Sequence, residues 1–221
     1  MTAGNALSAV AAAADTDVLV SLLALDCFHD TLACLGFSES KCFRLPSVVA
    51  QLERSRWVGD HWPKASRAEM ASIVSRLPAL PPPTDIATLS LLNGIDGVDE
   101  GEAYILTKAC EDPGLLVLTG DGRMVRAIHR APEASGVCRI LKGRVVVFPQ
   151  IVGTLVKHVS LTEIEYRWRQ AAPDTTKHRH KGMSVMFGTT SPTKEDDFWT
   201  GQGFQLGNIT DACGDGWLCM I

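Results

Sequence analysis

Two short apolar runs, "GLLVLT" at 114–119 and "GRVVVF" at 143–148, constrain the fold of this chain more than any other feature. A strand covered on one face alternates apolar and polar residues, whereas a strand covered on both faces reads as an unbroken apolar run. Each run leads into a segment with helical spacing, "GDGRMVRAIHR" after the first and "PQIVGTLVKHV" after the second. Earlier in the chain "LSAVAAAAD" is a third such run, a strand in spite of alanine's weak strand propensity. Behind it Leu19, Leu22, Leu23, Phe28, Leu32 and Leu35 recur at helical spacing up to Gly36, which predicts one helix over 18–35. Strands that alternate with helices require a parallel sheet with both faces covered.

The segments between fit this plan. "KCFRLP" is short and extended, and Pro46 suits the first turn of a helix in "SVVAQLERSRW". "SRAEMASIVSRL" offers a second helix with Ser66 as its cap and Glu69 at capping-box distance. "PALPPPTD" reads as a stiff connector within the domain, followed by a short helix in "IATLSLL" and a longer one in "DEGEAYILTKACED".

The chain has 221 residues, 46% of them hydrophobic and 21% charged, which suits one core with an extension. Seven cysteines, odd in number and without a C-x-x-C pair, point to buried thiols in a reducing compartment. The start "MTAGNALSAVAAAAD" contains an A-x-A before Asp15, but no Lys or Arg precedes its apolar stretch, and no apolar run nears the roughly 20 residues that span a bilayer. The expectation is a cytoplasmic protein with no membrane partner. Net charge is −4, yet residues 1–122 hold 8 Lys/Arg against 16 Asp/Glu, and residues 123–181 hold 12 against 4. A basic rim beside an acidic centre is what a metal-dependent enzyme acting on a polyanion needs, and two intermixed solvated faces are the plainer reading.

Parallel sheets hold their sites at the carboxyl ends of their strands. Asp15 closes the first run and Asp121 lies two residues past "LLVLT". Asp99 and Glu102, three apart, share one face at the start of a helix. Singly, each is a cap or a surface charge. Together they form an oxygen-ligand cage of the kind that magnesium or manganese prefers.

These residues also carry a resemblance. "ADTDVLV" resembles the D-T-N-hydrophobic opening of PIN-domain nucleases, "DEGEA" resembles a D-x-G-E-A block of one branch, and "LTGDGRMVRA" is similar to a T-x-D-x-R-x-x-R-A block. Their order and spacing match a PIN core over roughly residues 8–160. The likeness is strongest to a little-studied bacterial PIN-like group. It implies a Rossmann-like, three-layer α/β/α sandwich with a central parallel sheet over 1–160, and leaves 161–221 as a C-terminal extension. It implies a Mg²⁺- or Mn²⁺-dependent ribonuclease in which Asp15, Asp99, Glu102 and Asp121 are metal ligands and catalytic residues. Thr119 would support Asp121, and Asp17 would stand beside Asp15. Where many PIN nucleases carry a Glu in "P-x-V-V-x-E-L", "PSVVAQL" here has Gln51, leaving the cage one carboxylate short. Glu53 points to another side of that helix.

Two rival readings stay open. "DTDVLV" partly resembles the D-x-D opening of haloacid-dehalogenase-type phosphatases, with Asp15 as nucleophile and Asp17 as acid/base, although "GRMVRA" supplies arginines where that family needs an acid. The other is an inactive PIN-fold module that binds nucleic acid or protein. In the nuclease and binding readings alike, Arg123 and Arg126 are the first candidates for RNA phosphates. The partners expected are RNA, in single-stranded form, and a second copy of the chain or an antitoxin-like protein. "KHRHK" at 177–181 reads as a flexible basic loop, with RNA contact or transition-metal binding as alternatives, and "DCFHD" reads as a surface cluster. The tail is helical over "TEIEYRWRQ". Beyond that it is Gly-rich, with enough apolar content to pack on the core, on a second copy or on a partner.

Overall fold

The structure is a computed structural model and describes residues 9–54, 56–173, 180–188, 191–214 and 216–221. Among these, β1 (Ala11–Ala14), β2 (Cys42–Arg44), β3 (Leu115–Thr119) and β4 (Val145–Val147) form one all-parallel sheet in the order β2-β1-β3-β4. The unbroken apolar runs are explained by the two cores. Ala12, Ala14, Leu116, Leu118 and Val146 face one, while Ala11, Ala13, Leu115, Val117, Val145 and Val147 face the other. Alanine serves in β1 because that strand is central, hydrogen-bonded on both sides and buried along its whole length.

Helices α1 (Thr16–Ala24), α2 (Phe28–Leu35), α3 (Val48–Arg54), α4 (Arg56–His61) and α5 (Arg67–Arg76) cover the first face. The second is covered by α6 (Ile86–Asn93), α7 (Glu100–Glu111), α8 (Gly122–Arg130) and α9 (Ser135–Leu141). The chain then returns to the first face with α10 (Phe148–His158), α11 (Leu161–Ala171) and α12 (Lys181–Phe187). The result is the three-layer α/β/α architecture.

One helix expected over 18–35 is two. α1 and α2 are bent by 115° about Asp26, a non-glycine residue at φ 52°. Sequence spacing is blind to the cause: Arg167 of α11 donates to the Asp26 carbonyl at 2.6 Å and to Asp30 at 2.8 Å, and so clamps the turn. Asp26 and Asp30 of "DCFHD" thus belong to this corner, while His29 pairs with Glu39 at 2.7 Å. No single helix among the described residues is long and apolar enough to cross a membrane.

Both outer strands are covered. The "PALPPP" segment runs along β2, where the Arg44 amide donates to the Pro78 carbonyl at 3.0 Å and the Leu80 amide donates to the Arg44 carbonyl at 2.8 Å. At the far edge the chain's end lies beside β4, with the Cys219 amide on the Val145 carbonyl at 2.8 Å. An exposed strand edge invites pairing with other chains, so these contacts protect the sheet. All seven cysteines are free.

The Gly-rich tail forms a helix of 19 residues, α13 (Glu195–Cys213), which packs against α8, α10 and α12. Its Phe198 enters the first core and its Ile209 the second, so this part of the extension packs on the domain. Gly201 explains part of the glycine content. A Cβ there would lie within 2.4 Å of the Val185 carbonyl oxygen on α12, so the two helices can cross only where a side chain is missing. Gly207 has open space around its Cα. Gly201→Ala is therefore expected to destabilise the fold by about 1–3 kcal/mol. Gly207→Ala should be neutral or stabilising by up to ~1 kcal/mol. Urea unfolding of both variants checks this, and equal effects would refute the role given to Gly201.

Candidate functional site

The β1–β3 ladder carries on past the strands. The Asp15 amide donates to the Leu118 carbonyl at 2.9 Å, which holds the carboxyl end of β1 beside the end of β3. Asp15 caps α1, its carboxylate accepting from the Thr16 amide at 2.7 Å, and Asp17 comes next in the first turn. Past β3, the buried Thr119 hydroxyl accepts from the Asp121 amide at 3.1 Å, and Asp121 caps α8. Thr119 thus supports Asp121 through its backbone. The third contribution is the start of α7, where Asp99 and Glu102 form a reciprocal capping box with two bonds of 2.8 Å.

These groups line a single cleft of about 690 Å³ at the carboxyl edge of the sheet. Asp15, Asp17, Gln51, Asp99, Glu102, Asp121 and Arg123 all border it. Ser47, Glu100 and Tyr104 lie there as well and were not singled out from the sequence, although Glu100 stands inside the "DEGEA" block. Gln51 occupies the cleft wall and donates to Ser47 at 3.3 Å. Arg126 lies elsewhere. It borders adjoining cavities and donates to the Asn208 carbonyl at 3.4 Å.

Electrostatically the cleft carries an excess of acid. Burial and then the Asp17 charge push Asp15 up to about 7, with Asp99 and Asp121 adding to the effect against the Thr16 bond. Burial pushes Glu102 up to about 8, helped by the charges of Asp99, Asp121 and Asp15 and opposed by its bond to the Asp99 amide. Asp17 is raised by burial, Asp121 and Asp99, and His61 and Arg123 partly offset this. Asp121 differs: burial raises it, but the hydrogen bonds and charge of Arg123 outweigh that and hold it below the usual range. Its carboxylate takes the Arg123 Nε at 3.0 Å and Nη2 at 2.5 Å.

In kind, the donors suit a hard divalent cation, since they are carboxylate oxygens crowded without enough positive charge. In position, they are held by caps and by Arg123. Among the described residues no three His, Cys, Asp or Glu side chains gather as a cation would require.

Several residues beside the cleft were missed. A second cavity of about 720 Å³ shares Asp121 and Arg123 with it and is bordered by Trp57, His61, His180, Lys181, Gln205 and Asn208. Of "KHRHK", residues 177–179 lie outside the described residues. His180 is not part of a loose basic loop: it caps α12, its Nδ1 accepting from the Met183 amide at 3.3 Å. Burial, and then His61, push its pKa down to about 4. The signal was present, since His180 precedes the helical pattern "KGMSVMF", but the neighbouring charges made it read as surface.

Fold and cleft together define an α/β protein with a carboxylate-lined cleft at the carboxyl edge of a parallel sheet, the edge where open α/β sheets take their ligands. Compared with protein-family models, with curated proteins and with solved structures, the chain matches none.

The raised carboxyls carry a stability consequence. Between the ordinary values of 3.8 and 4.5 and the folded values of about 7 and about 8, the folded state binds more protons than the unfolded one. Stability therefore falls as pH rises through that window, and levels off above it. In metal-free protein, Asp15→Asn is expected to flatten this slope and to raise the thermal midpoint at pH 8 by roughly 2–6 °C. Melting curves from pH 5 to pH 8.5 check it, and a wild type that gains stability across that range would refute it.

Proposed function

We propose that this protein is a PIN-like, Mg²⁺- or Mn²⁺-dependent nuclease acting on RNA. The observation that supports it is the placement of Asp15, Asp99, Glu102 and Asp121. They come from three separate stretches of chain and line one cleft at the carboxyl edge of the sheet. The choice of RNA rests on the sequence resemblance in "ADTDVLV", "DEGEA" and "LTGDGRMVRA".

In this reading Asp15, Asp99, Glu102 and Asp121 are the residues that would hold the cation. When bound, a cation there would lower the pKa of a neighbouring water and offset the charge of the phosphodiester. Arg123, whose side chain is 80% exposed at the rim, leaves Asp121 and meets a substrate phosphate instead. The exposure of the Arg123 side chain lowers the cost of this exchange. Thr119 keeps the Asp121 backbone in place, and Gln51 hydrogen-bonds water at the cleft wall without adding charge. Hydrolysis adds the hydroxyl of water to phosphorus and a proton to the leaving ribose oxygen.

A second reading, a module that binds RNA without cleaving it, is favoured by two observations. Asp121 is already paired with Arg123 and the carboxylates do not converge on a point.

Labelled single-stranded RNA with Mn²⁺ separates the two. Wild type should cleave it and EDTA should stop cleavage. Asp99→Asn and Asp121→Asn should lower the rate at least about 100-fold. Their RNA binding in EDTA should be as tight as wild type or tighter, since each removes negative charge near a polyanion. Wild type and variants that bind RNA and are equally inert would establish the second reading. Gln51→Glu adds a carboxylate to the cleft and should lower the Mn²⁺ concentration needed for half-maximal rate by roughly tenfold. An unchanged requirement would remove Gln51 from the site.

A further inference from the structure

The cavity beside the acidic cleft has a chemistry of its own. Trp57 and His61 of α4 stack with ring centroids 4.8 Å apart and planes 28° from parallel, and both border it. Gln205 and Asn208 of α13 form another side, with Phe148 and Pro149 between. Among the described residues lining it, Asp121 is the one carboxylate, and Arg123, Arg126 and Lys181 supply positive charge. In the acidic cleft the balance is reversed, with Arg123 the one Lys or Arg among the described residues lining it. The two spaces meet at Asp121 and Arg123.

The α13 wall is fixed in place. Gln202 donates to the Pro149 carbonyl at 2.9 Å, Arg126 donates to the Asn208 carbonyl at 3.4 Å, and Ile209 lies so near Gly122 that a Cβ there would be 3.0 Å away.

We propose that this cavity is a nucleobase subsite, which takes the base of a nucleotide adjoining the phosphate held at the acidic cleft and reads its identity. The proposal rests on the nuclease reading for the position of that phosphate. A phosphate alone gains nothing from flat aromatic walls, whereas every base has a face that stacks on them. Gln and Asn each carry a donor and an acceptor on one planar group, the arrangement that pairs with the edge of a base. Arg123, at the boundary, is placed for the intervening phosphate. About 720 Å³ lies within the range of ordinary small-ligand pockets. The C-terminal extension is then a specificity element, since Gln205 and Asn208 reach the site only because α13 crosses from one core to the other.

The test uses the full chain and four fluorescein-labelled single-stranded RNA oligonucleotides, each a run of one base, titrated by fluorescence anisotropy in EDTA. Cleavage of the same oligonucleotides in Mn²⁺ is measured in parallel. Wild type is expected to favour one base about tenfold in binding. The Gln205→Ala/Asn208→Ala double variant, which changes only side chains on a packed helix, should reduce that preference to about twofold or less. Trp57→Ala should weaken binding of all four about tenfold, because stacking does not discriminate. Thermal melting of each variant shows that it is folded.

Absence of a base preference in wild type, or a preference that the double variant keeps, overturns the subsite. Cleavage in Mn²⁺ with an insensitive preference would overturn the subsite while the nuclease reading stands. A preference in EDTA that the double variant loses, without cleavage in any metal, would support the subsite and overturn the nuclease reading.

Discussion

Everything at the candidate site depends on the pairing of β1 with β3, from Ala11 against Leu115 to Ala14 against Leu118. The two strands lie over a hundred residues apart in sequence and run parallel, so their carboxyl ends finish side by side. The Asp15 amide adds one more rung at Leu118. The segments leaving the two strands are therefore forced together: Asp15 and the start of α1 on one side, Thr119, Asp121 and the start of α8 on the other. A slip of one residue in this register would turn the alternating side chains of β3 into the wrong cores. The hydrophobic partition between the two helical layers thus fixes where Asp15 and Asp121 stand relative to each other.

The local roles of those carboxylates are ordinary. Asp15, Asp99 and Asp121 each cap a helix, and Glu102 completes a capping box, all of which a helix start favours. What capping does not explain is their concentration. Glu102 is 5% exposed, although a cap serves equally well in water, and it sits among like charges that raise its pKa. Burying acids together costs stability unless something offsets the charge. Among the described residues Arg123 outweighs the burial of Asp121, and with His61 it offsets that of Asp17 only in part. A cost kept at one edge of an otherwise well-packed sheet, the edge where such folds bind ligands, is the physical argument for function there.

How far the sequence revealed this differed by element. β3 and β4 were legible because a strand with no polar position has to be covered on both faces, and β1 because its small residues stopped at Asp15. The capping residue Ser66 was legible from local rules alone and accepts from the Glu69 amide at 3.3 Å, while Asp99, read within the first turn, is the cap itself. The corner at Asp26 was not, because it is held by Arg167 from another helix. α13 was hidden for a related reason: Gly201, Gly203 and Gly207 look like loop, and only the contact with Val185 shows why a helix has glycine at Gly201. His180 was hidden by its neighbours, since four charged or polar residues around a histidine give no hint that its ring packs against Phe148. The motifs named Asp15, Asp17, Gln51, Asp99, Glu102, Asp121 and Arg123 together, and these seven do share one cleft. Arg126 was grouped with Arg123 by spacing, and faces the neighbouring cavity instead.

Arg123 and Gln51 now stand as the two residues that decide what the cleft can do. Gln51 leaves one wall without charge, which weakens the pull on a cation, but it also lessens the repulsion that a further acid would add to an already crowded cleft. Arg123 neutralises one acid in the resting chain, yet its exposed side chain lets it leave without disturbing any buried contact. The two act in the same direction. Each holds down the charge of a cleft that must stay folded when empty, and on the proposed reading Arg123 is the one that a polyanion would draw away. A fixed, buried cation in its place would be costly to desolvate and could not be withdrawn from Asp121. On the proposed nuclease reading, the exposed position of Arg123, beside the wall built by α13, is the arrangement that would allow one carboxylate to be a cap at rest and a ligand in use.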